Sequence, residues 1–239
     1  MEMQATPTSE AIPHRDSLLG FRGLYEVFVQ PVNFFTRLKF DAKVLVPYVT
    51  YAVLALVFLT LTSSIIAQMQ IDEMQRRAAD NPNFAVPSGL TPDKMVPFII
   101  IFGSATLMLG PLLISALAYL WGNFIMAGRA TFKQLLSITL YGEIIYMVGG
   151  MLLLPLMLAK QSVLVSFSLA ALVPPDPNSV LWMALSKVNL FLIWEIIAVG
   201  IGLAIIYSFP RNKGYMLAVL AVGLVSIVHV LITAVSSMF

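Results

Sequence analysis

Five long apolar stretches alternate with short polar ones along the chain. They run over Val44–Ala67, Met95–Gly122, Leu135–Ala159, Val188–Ser208 and Tyr215–Ser237. Each has the roughly 20 apolar residues that a helix needs to cross a hydrocarbon core of about 30 Å. A bilayer admits only helices or closed barrels, because every buried backbone N–H and C=O needs an internal partner. These runs are too long and too uniformly apolar for barrel strands. The pattern predicts an all-α integral membrane protein, a five-transmembrane-helix bundle over residues 41–239.

Residues 17–40 are patterned differently. Leu18, Leu24, Phe28, Phe34, Phe35 and Leu38 are interleaved with Arg22, Glu26, Arg37 and Lys39. That is too charged to span, and Pro31 suits the first turn of a second helical piece. The segment is expected to be an N-terminal amphipathic interfacial helix, bent at Pro31 and lying on one leaflet. Packing of its apolar face against the bundle is the alternative. Residues 1–16 read as a disordered polar tail. The first 20 residues lack the apolar core of a cleavable signal, so the first span is expected to act as an uncleaved anchor.

The connections carry their own signals. Gln68–Asp80 keeps a helix-forming composition and should extend the first span beyond the bilayer. Asn81-Pro82 and Pro87-Ser88-Gly89 break it. Thr91-Pro92-Asp93 reads as N-cap, N1 and a first-turn acid of the next helix. Ser162–Val173 is apolar but short, which suits an interfacial or re-entrant segment. Pro174-Pro175-Asp176-Pro177 stops it, Asn178-Ser179 caps a new helix, and the helix from Val180 is expected to run on into the fourth span. The turn Phe209–Gly214 makes spans four and five an antiparallel hairpin.

Composition sharpens this. Residues of the set AVILMFWYC make up 59% of the 239, and charged residues 11%; mean hydropathy is +0.89. A soluble domain carries about 25% charged residues, so this chain must be solvated by lipid. With no cysteine, disulfides and thiolate chemistry are excluded. The net charge of +2 does not point to nucleic acid.

Cationic side chains set the orientation. Arg15, Arg22, Arg37, Lys39, Lys43, Arg129, Lys133, Arg211 and Lys213 fall on one side of the five spans. Arg76, Arg77, Lys94, Lys160 and Lys187 fall on the other. The N-terminus is therefore expected in the cytoplasm and the C-terminus outside.

Three ionisable residues lie inside spans, where each costs about 2.5–3.5 kcal/mol on insertion scales: Glu143, Glu195 and His229. Placing the turn of the last hairpin near Asn212 makes Glu195 and His229 equidistant from it and level. They are a candidate proton or substrate site, or a polar clamp between helices. Glu143 would bond Ser115, Tyr119 or a carbonyl of span two. Gly149, Gly150, Gly200 and Gly202 let helices approach closely. Pro111 and Pro155 should free the carbonyls of Leu107 and Met151. No catalytic constellation, metal motif or phosphate loop is recognisable, so no cofactor and no enzyme activity is expected.

Three elements resemble those of the Yip domain family, the Ypt/Rab-interacting-protein-like five-span membrane proteins, in its bacterial branch. They are Val27-Phe28-Val29-Gln30-Pro31 followed by Phe34-Phe35; the turn Gly128-Arg129-Ala130-Thr131-Phe132; and Leu190-Phe191-Leu192-Ile193-Trp194 followed by Gly200-Ile201-Gly202. Pro31, Phe34, Gly128, Phe132 and Trp194 mark the resemblance most clearly. Eukaryotic relatives bind prenylated Rab-type GTPases and act in vesicle traffic and membrane shaping; some bacterial relatives accompany transporters. An Asp-Leu-Tyr-Gly-Pro element is missing, the nearest string being Leu140-Tyr141-Gly142-Glu143. The resemblance implies a protein of the bacterial cytoplasmic (inner) membrane. Its expected role is as scaffold, accessory or regulatory subunit of membrane machinery, or in shaping the bilayer. Expected partners are the lipid bilayer and another membrane protein, such as a transporter complex, or a second copy of the chain. The alternative is a small transporter or channel.

Overall fold

A computed structural model describes residues 19–225 and 227, apart from 82, 177 and 178. The polar tail 1–16 and about half of the last apolar stretch lie outside the described residues. The elements are α1 (Leu19–Val29), α2 (Pro31–Leu38), α3 (Leu45–Asp80), α4 (Pro92–Tyr119, continuing as a π-helical turn Leu120–Ile125), α5 (Phe132–Lys160), a 3-10 turn (Leu169–Leu172), α6 (Val180–Lys187), α7 (Leu190–Tyr207) and α8 (Arg211–Ala218, continuing as a π-helical turn Val219–Gly223). Among the described residues the one β feature is an isolated bridge between Ser168 and Asn189.

Four helices are long and apolar enough to cross a membrane: Leu45–Asp80, Pro92–Ile125, Phe132–Lys160 and Leu190–Tyr207. The fifth expected span begins as α8, and the chain is still helical at residues 224, 225 and 227. At 36 residues and about 1.5 Å per residue, α3 outruns the bilayer. Its outer part keeps charges in water through i,i+3 and i,i+4 pairs of Glu73 with Arg76 and Arg77.

Local chemistry explains the boundaries. Pro31 occupies the first turn of α2. Thr91 and Pro92 open α4 in extended geometry, although the Thr91 hydroxyl makes no cap bond. Thr131 and Gln134 form a capping box at the start of α5. One boundary differs from expectation: α6 does not run into α7. Asn189 breaks the helix because its Oδ1 accepts from Phe191 N and Leu192 N. The Val188–Asn189 backbone instead pairs with Phe167–Leu169.

The core lies around α5, which packs against α3, α4, α7 and α1. The same end of the bundle gathers α1 and α2, the 126–131 connection and the α7–α8 turn. There Lys39 Nζ donates to Ser208 Oγ at 2.8 Å and to the Ile205 carbonyl at 3.1 Å. Gln134 Nε2 donates to the Lys39 carbonyl at 2.9 Å, and Ser137 Oγ to that of Lys43 at 2.8 Å. The apolar face expected in lipid is partly claimed by protein: Val27, Phe34, Phe35 and Leu38 are buried, and α2 packs on α7.

Candidate functional site

The polar groups within the spans meet where α3, α4, α5 and α7 approach. Two glycines clear the space. Glu195 of α7 folds over Gly142 of α5, its Cγ 3.2 Å and Oε1 3.8 Å from where a Cβ on Gly142 would stand. Glu143 of α5 points to α4, its Oε1 3.9 Å from the corresponding point on Gly110. The two acids thus flank one helix contact, Glu195 over Gly142 and Glu143 at the next position of α5. Glu195 is 2% exposed, and its Oε1 has no hydrogen-bond partner. Glu143 is partly buried.

Tyr51 of α3 completes the group. Its hydroxyl donates to the Leu107 carbonyl at 3.3 Å and stands beside the Glu143 carboxylate. Leu107 is the carbonyl that Pro111, lacking an N–H, leaves without an intrahelical donor. Thus Tyr51 serves both the proline-freed acceptor and the acid. The Ser115 and Tyr119 partners expected for Glu143 are occupied elsewhere. Ser115 Oγ donates to the Pro111 carbonyl at 2.6 Å and lies 3.0 Å from Thr139 Oγ1. The Tyr119 ring packs against Phe124 and Phe132.

A cleft of about 510 Å³ lies between α3, α4, α5 and the 161–189 connection. Phe58, Leu107, Tyr146, Gly150, Phe167 and Phe191 are among its walls. Leu107, whose carbonyl accepts from Tyr51, and Tyr146, one helical turn from Glu143 on α5, bring it up to the polar group. Among the described residues no three His, Cys, Asp or Glu side chains gather as a metal site requires.

His229 lies outside the described residues. The register on which its pairing with Glu195 rested is corrected by residues that are described. Gly200 packs on Tyr215, and Gly214 on Ala204, so the hairpin pivots near residue 208 rather than 212. Pro210 starts α8 at once, making the polar residues Arg211–Gly214 helical. At that register the positions level with Glu195 are about 219–223. Among these Ala221 and Val222 are buried and apolar.

At the end of the bundle a second acid is buried. Glu26 accepts from Arg22 Nε at 2.7 Å and is paired with Arg37, which ties α1 to α2. Sequence reasoning took Glu26 for the polar face of an amphipathic helix. The i,i+4 spacing of Arg22 and Glu26 was the available signal.

The remaining marked residues are helix contacts. Gly149 lies under Phe191; a Cβ on Gly150 would stand 3.3 Å from Phe58, and one on Gly202 2.8 Å from Ile138 and 3.1 Å from Phe35. Gly122 and Gly128 leave the room that the Tyr207 ring fills, and its hydroxyl donates to the Ala118 carbonyl at 3.1 Å. Phe34 meets Tyr141 edge-on at 4.6 Å between centroids, and Phe28 meets Trp194 at 5.6 Å. Two of the three elements carrying the resemblance therefore touch each other, Phe28 against Trp194 and Phe35 against Gly202. The Yip1 domain pattern matches residues 25–233. The chain belongs to the Yip1 domain family. Searches of curated proteins and of solved structures returned no match. Yip1 membership and the apolar helices together make it an integral membrane protein in contact with the bilayer. They fit a membrane-associated, non-enzymatic role.

Proposed function

We propose that this Yip1-domain protein works by association, as a scaffold or as an accessory or regulatory subunit of other membrane machinery, and that it helps to organise or shape the bilayer. The observation that carries the reading is the α1–α2 elbow. Its inner face is fixed to the bundle, while Tyr25, Val29, Val32, Phe40 and Leu45 remain exposed. Around them at the same end stand Arg22, Arg37, Lys39, Lys43, Arg129, Lys133, Arg211 and Lys213, against Glu26 and Asp41. Apolar side chains rimmed by cations suit an anionic headgroup layer. In this reading the elbow lies on the cytoplasmic leaflet of a bacterial inner membrane. The chain then crosses five times, and the outward side chains of the elbow meet a partner membrane protein or a second copy. A photo-crosslinker at Phe40 in native membranes should capture one discrete membrane partner. With the crosslinker kept at position 40, Val32→Ser with Leu45→Ser should lower its recovery.

A transporter or channel is the second reading, favoured by the carboxyl pair beside the cleft. Purified protein in liposomes decides between them. Proton-linked or substrate flux from the chain alone, lost in Glu195→Gln, would replace association by transport.

A further inference from the structure

We infer that Glu143 and Glu195, on facing helices α5 and α7, form a proton-binding site inside the helix bundle in which one of the two carboxyls holds a proton. This goes beyond the association reading and does not rest on it. The first ground is the unpartnered Glu195 Oε1, buried against Gly142. An ionised oxygen left that way in an apolar interior carries its full desolvation cost. The second ground is the neighbour. Glu143 follows Gly142 on α5, and Glu195 lies over Gly142, so a second carboxyl residue stands next to the first. Two like charges in one such site cannot both persist.

Among the described residues the surroundings supply no cation. From α3 the facing titratable group is Tyr51, and from α5 itself Tyr146. Toward Glu143, α4 contributes Gly110 and the Leu107 carbonyl, neither titratable. Among the described residues of α8 and its π-helical turn, the positions level with Glu195 include buried Ala221 and Val222. The arginines of the elbow are engaged by Glu26 at the bundle's end. His229 lies outside the described residues and is tested directly below. The ligand that fits two carboxyls without a cation is a proton. Its route is the cleft, because Tyr146, one helical turn from Glu143 on α5, lines that space.

The test uses wild-type protein in liposomes at neutral pH with dicyclohexylcarbodiimide. This lipophilic reagent attacks only protonated carboxyls. The acid proton passes to one carbodiimide nitrogen and the carboxyl oxygen bonds the central carbon. The acyl group then migrates to nitrogen as a stable N-acylurea, with no atom lost. Peptide mass mapping should find the adduct on Glu143 or Glu195 and not on the aqueous acids Asp72, Glu73 and Asp93. Adduct on neither glutamate, or equally on the aqueous acids, would overturn the site. Infrared spectra of the same sample should show one protonated-carboxyl stretch at neutral pH. That stretch should be lost in Glu143→Gln with Glu195→Gln. Its absence from wild type, or its survival in the double variant, would also overturn the site. Should the double variant fail to fold, the wild-type adduct map decides alone. His229→Gln should leave adduct and stretch unchanged; a rise in either would show that the imidazole had held Glu195 ionised, and would sink the pair.

Discussion

Glu26 in the elbow and Glu195 in the bundle are both buried, at 5% and 2% exposure, yet their surroundings are opposite. Glu26 sits at an end of the molecule, where Arg22 and Arg37 reach it while keeping part of their own surface outside. Glu195 sits within a span, with an oxygen that bonds nothing. Depth explains the difference. Long cationic side chains can snorkel to the headgroup level from the ends of helices but not from their middles. Near the interface an acid can keep its charge and use it to join helices. In the interior an acid without a cation is neutralised by a proton.

The sharpest way to break this contrast is to remove a cation. Arg37→Met leaves Glu26 buried with one arginine. Losing a partner of a buried pair costs roughly 3–5 kcal/mol; because both arginines are partly exposed, about 3 kcal/mol is expected. In a Glu26→Gln background the same change should cost under about 1 kcal/mol. Glu195→Gln alone should change stability by less than about 1 kcal/mol, since no hydrogen bond is removed. Denaturation in mixed micelles measures all of these. Equal losses for Glu26→Gln and Glu195→Gln would erase the distinction between the two acids.

The next test separates the two glycines flanking the carboxyls. In Gly142→Ala the new methyl enters space held by Val199 and Glu195. Overpacking of that kind costs about 1–3 kcal/mol. Gly110→Ala meets only Glu143 Oε1 at 3.9 Å, an ordinary contact. It should be neutral or stabilise by about 0.5–1 kcal/mol through the helix preference for alanine. If both variants lost stability equally, the close approach of α7 to α5 at Gly142 would be refuted.

Particular residues show where the sequence was legible. The proline rule pointed to the Leu107 carbonyl, and the structure supplies Tyr51 for it. Start signals placed α4 at Thr91-Pro92, because an N1 proline is local chemistry; the capping box of Thr131 and Gln134, which starts α5 three residues before the expected Leu135, went unread. Four apolar runs became membrane-length helices because length and composition are written along the chain. What failed to read was the meeting of distant segments. Tyr51 lies in an apolar run with nothing to mark which neighbour it faces. Glu26 looked solvated, because Arg37 approaches it only after the bend at Pro31. The α7–α8 pivot was misplaced because Arg211–Gly214 is polar yet helical. The break at Val188–Asn189 depends on a backbone pairing with Phe167–Leu169.

A milder change probes the interior side again. Tyr51→Phe removes the donor to Leu107 and leaves a buried carbonyl without it. About 1–2 kcal/mol should be lost. The companion variant Pro111→Ala restores an N–H four residues on, so Leu107 regains an intrahelical donor. In that background Tyr51→Phe should cost measurably less. An undiminished cost would mean that the tyrosine acts through Glu143 alone, and the proline-freed carbonyl would drop out of the account.

The smallest effect belongs to the elbow. Lys39→Met removes the donor to Ser208 Oγ and the Ile205 carbonyl, so a cation leaves the C-terminal turn of α7. Such contacts contribute about 0.3–1 kcal/mol and weaken with salt. The loss should therefore shrink from low to high ionic strength. The apolar contacts of Phe34, Phe35 and Leu38, which salt does not screen, should hold α2 on α7 in either condition. Limited proteolysis near Phe40 reports the distinction. Faster cleavage in Lys39→Met at low salt only would make the lysine an electrostatic latch on an elbow already packed in place. Faster cleavage at every salt concentration would make it the main attachment, and the buried aromatic face would lose that role.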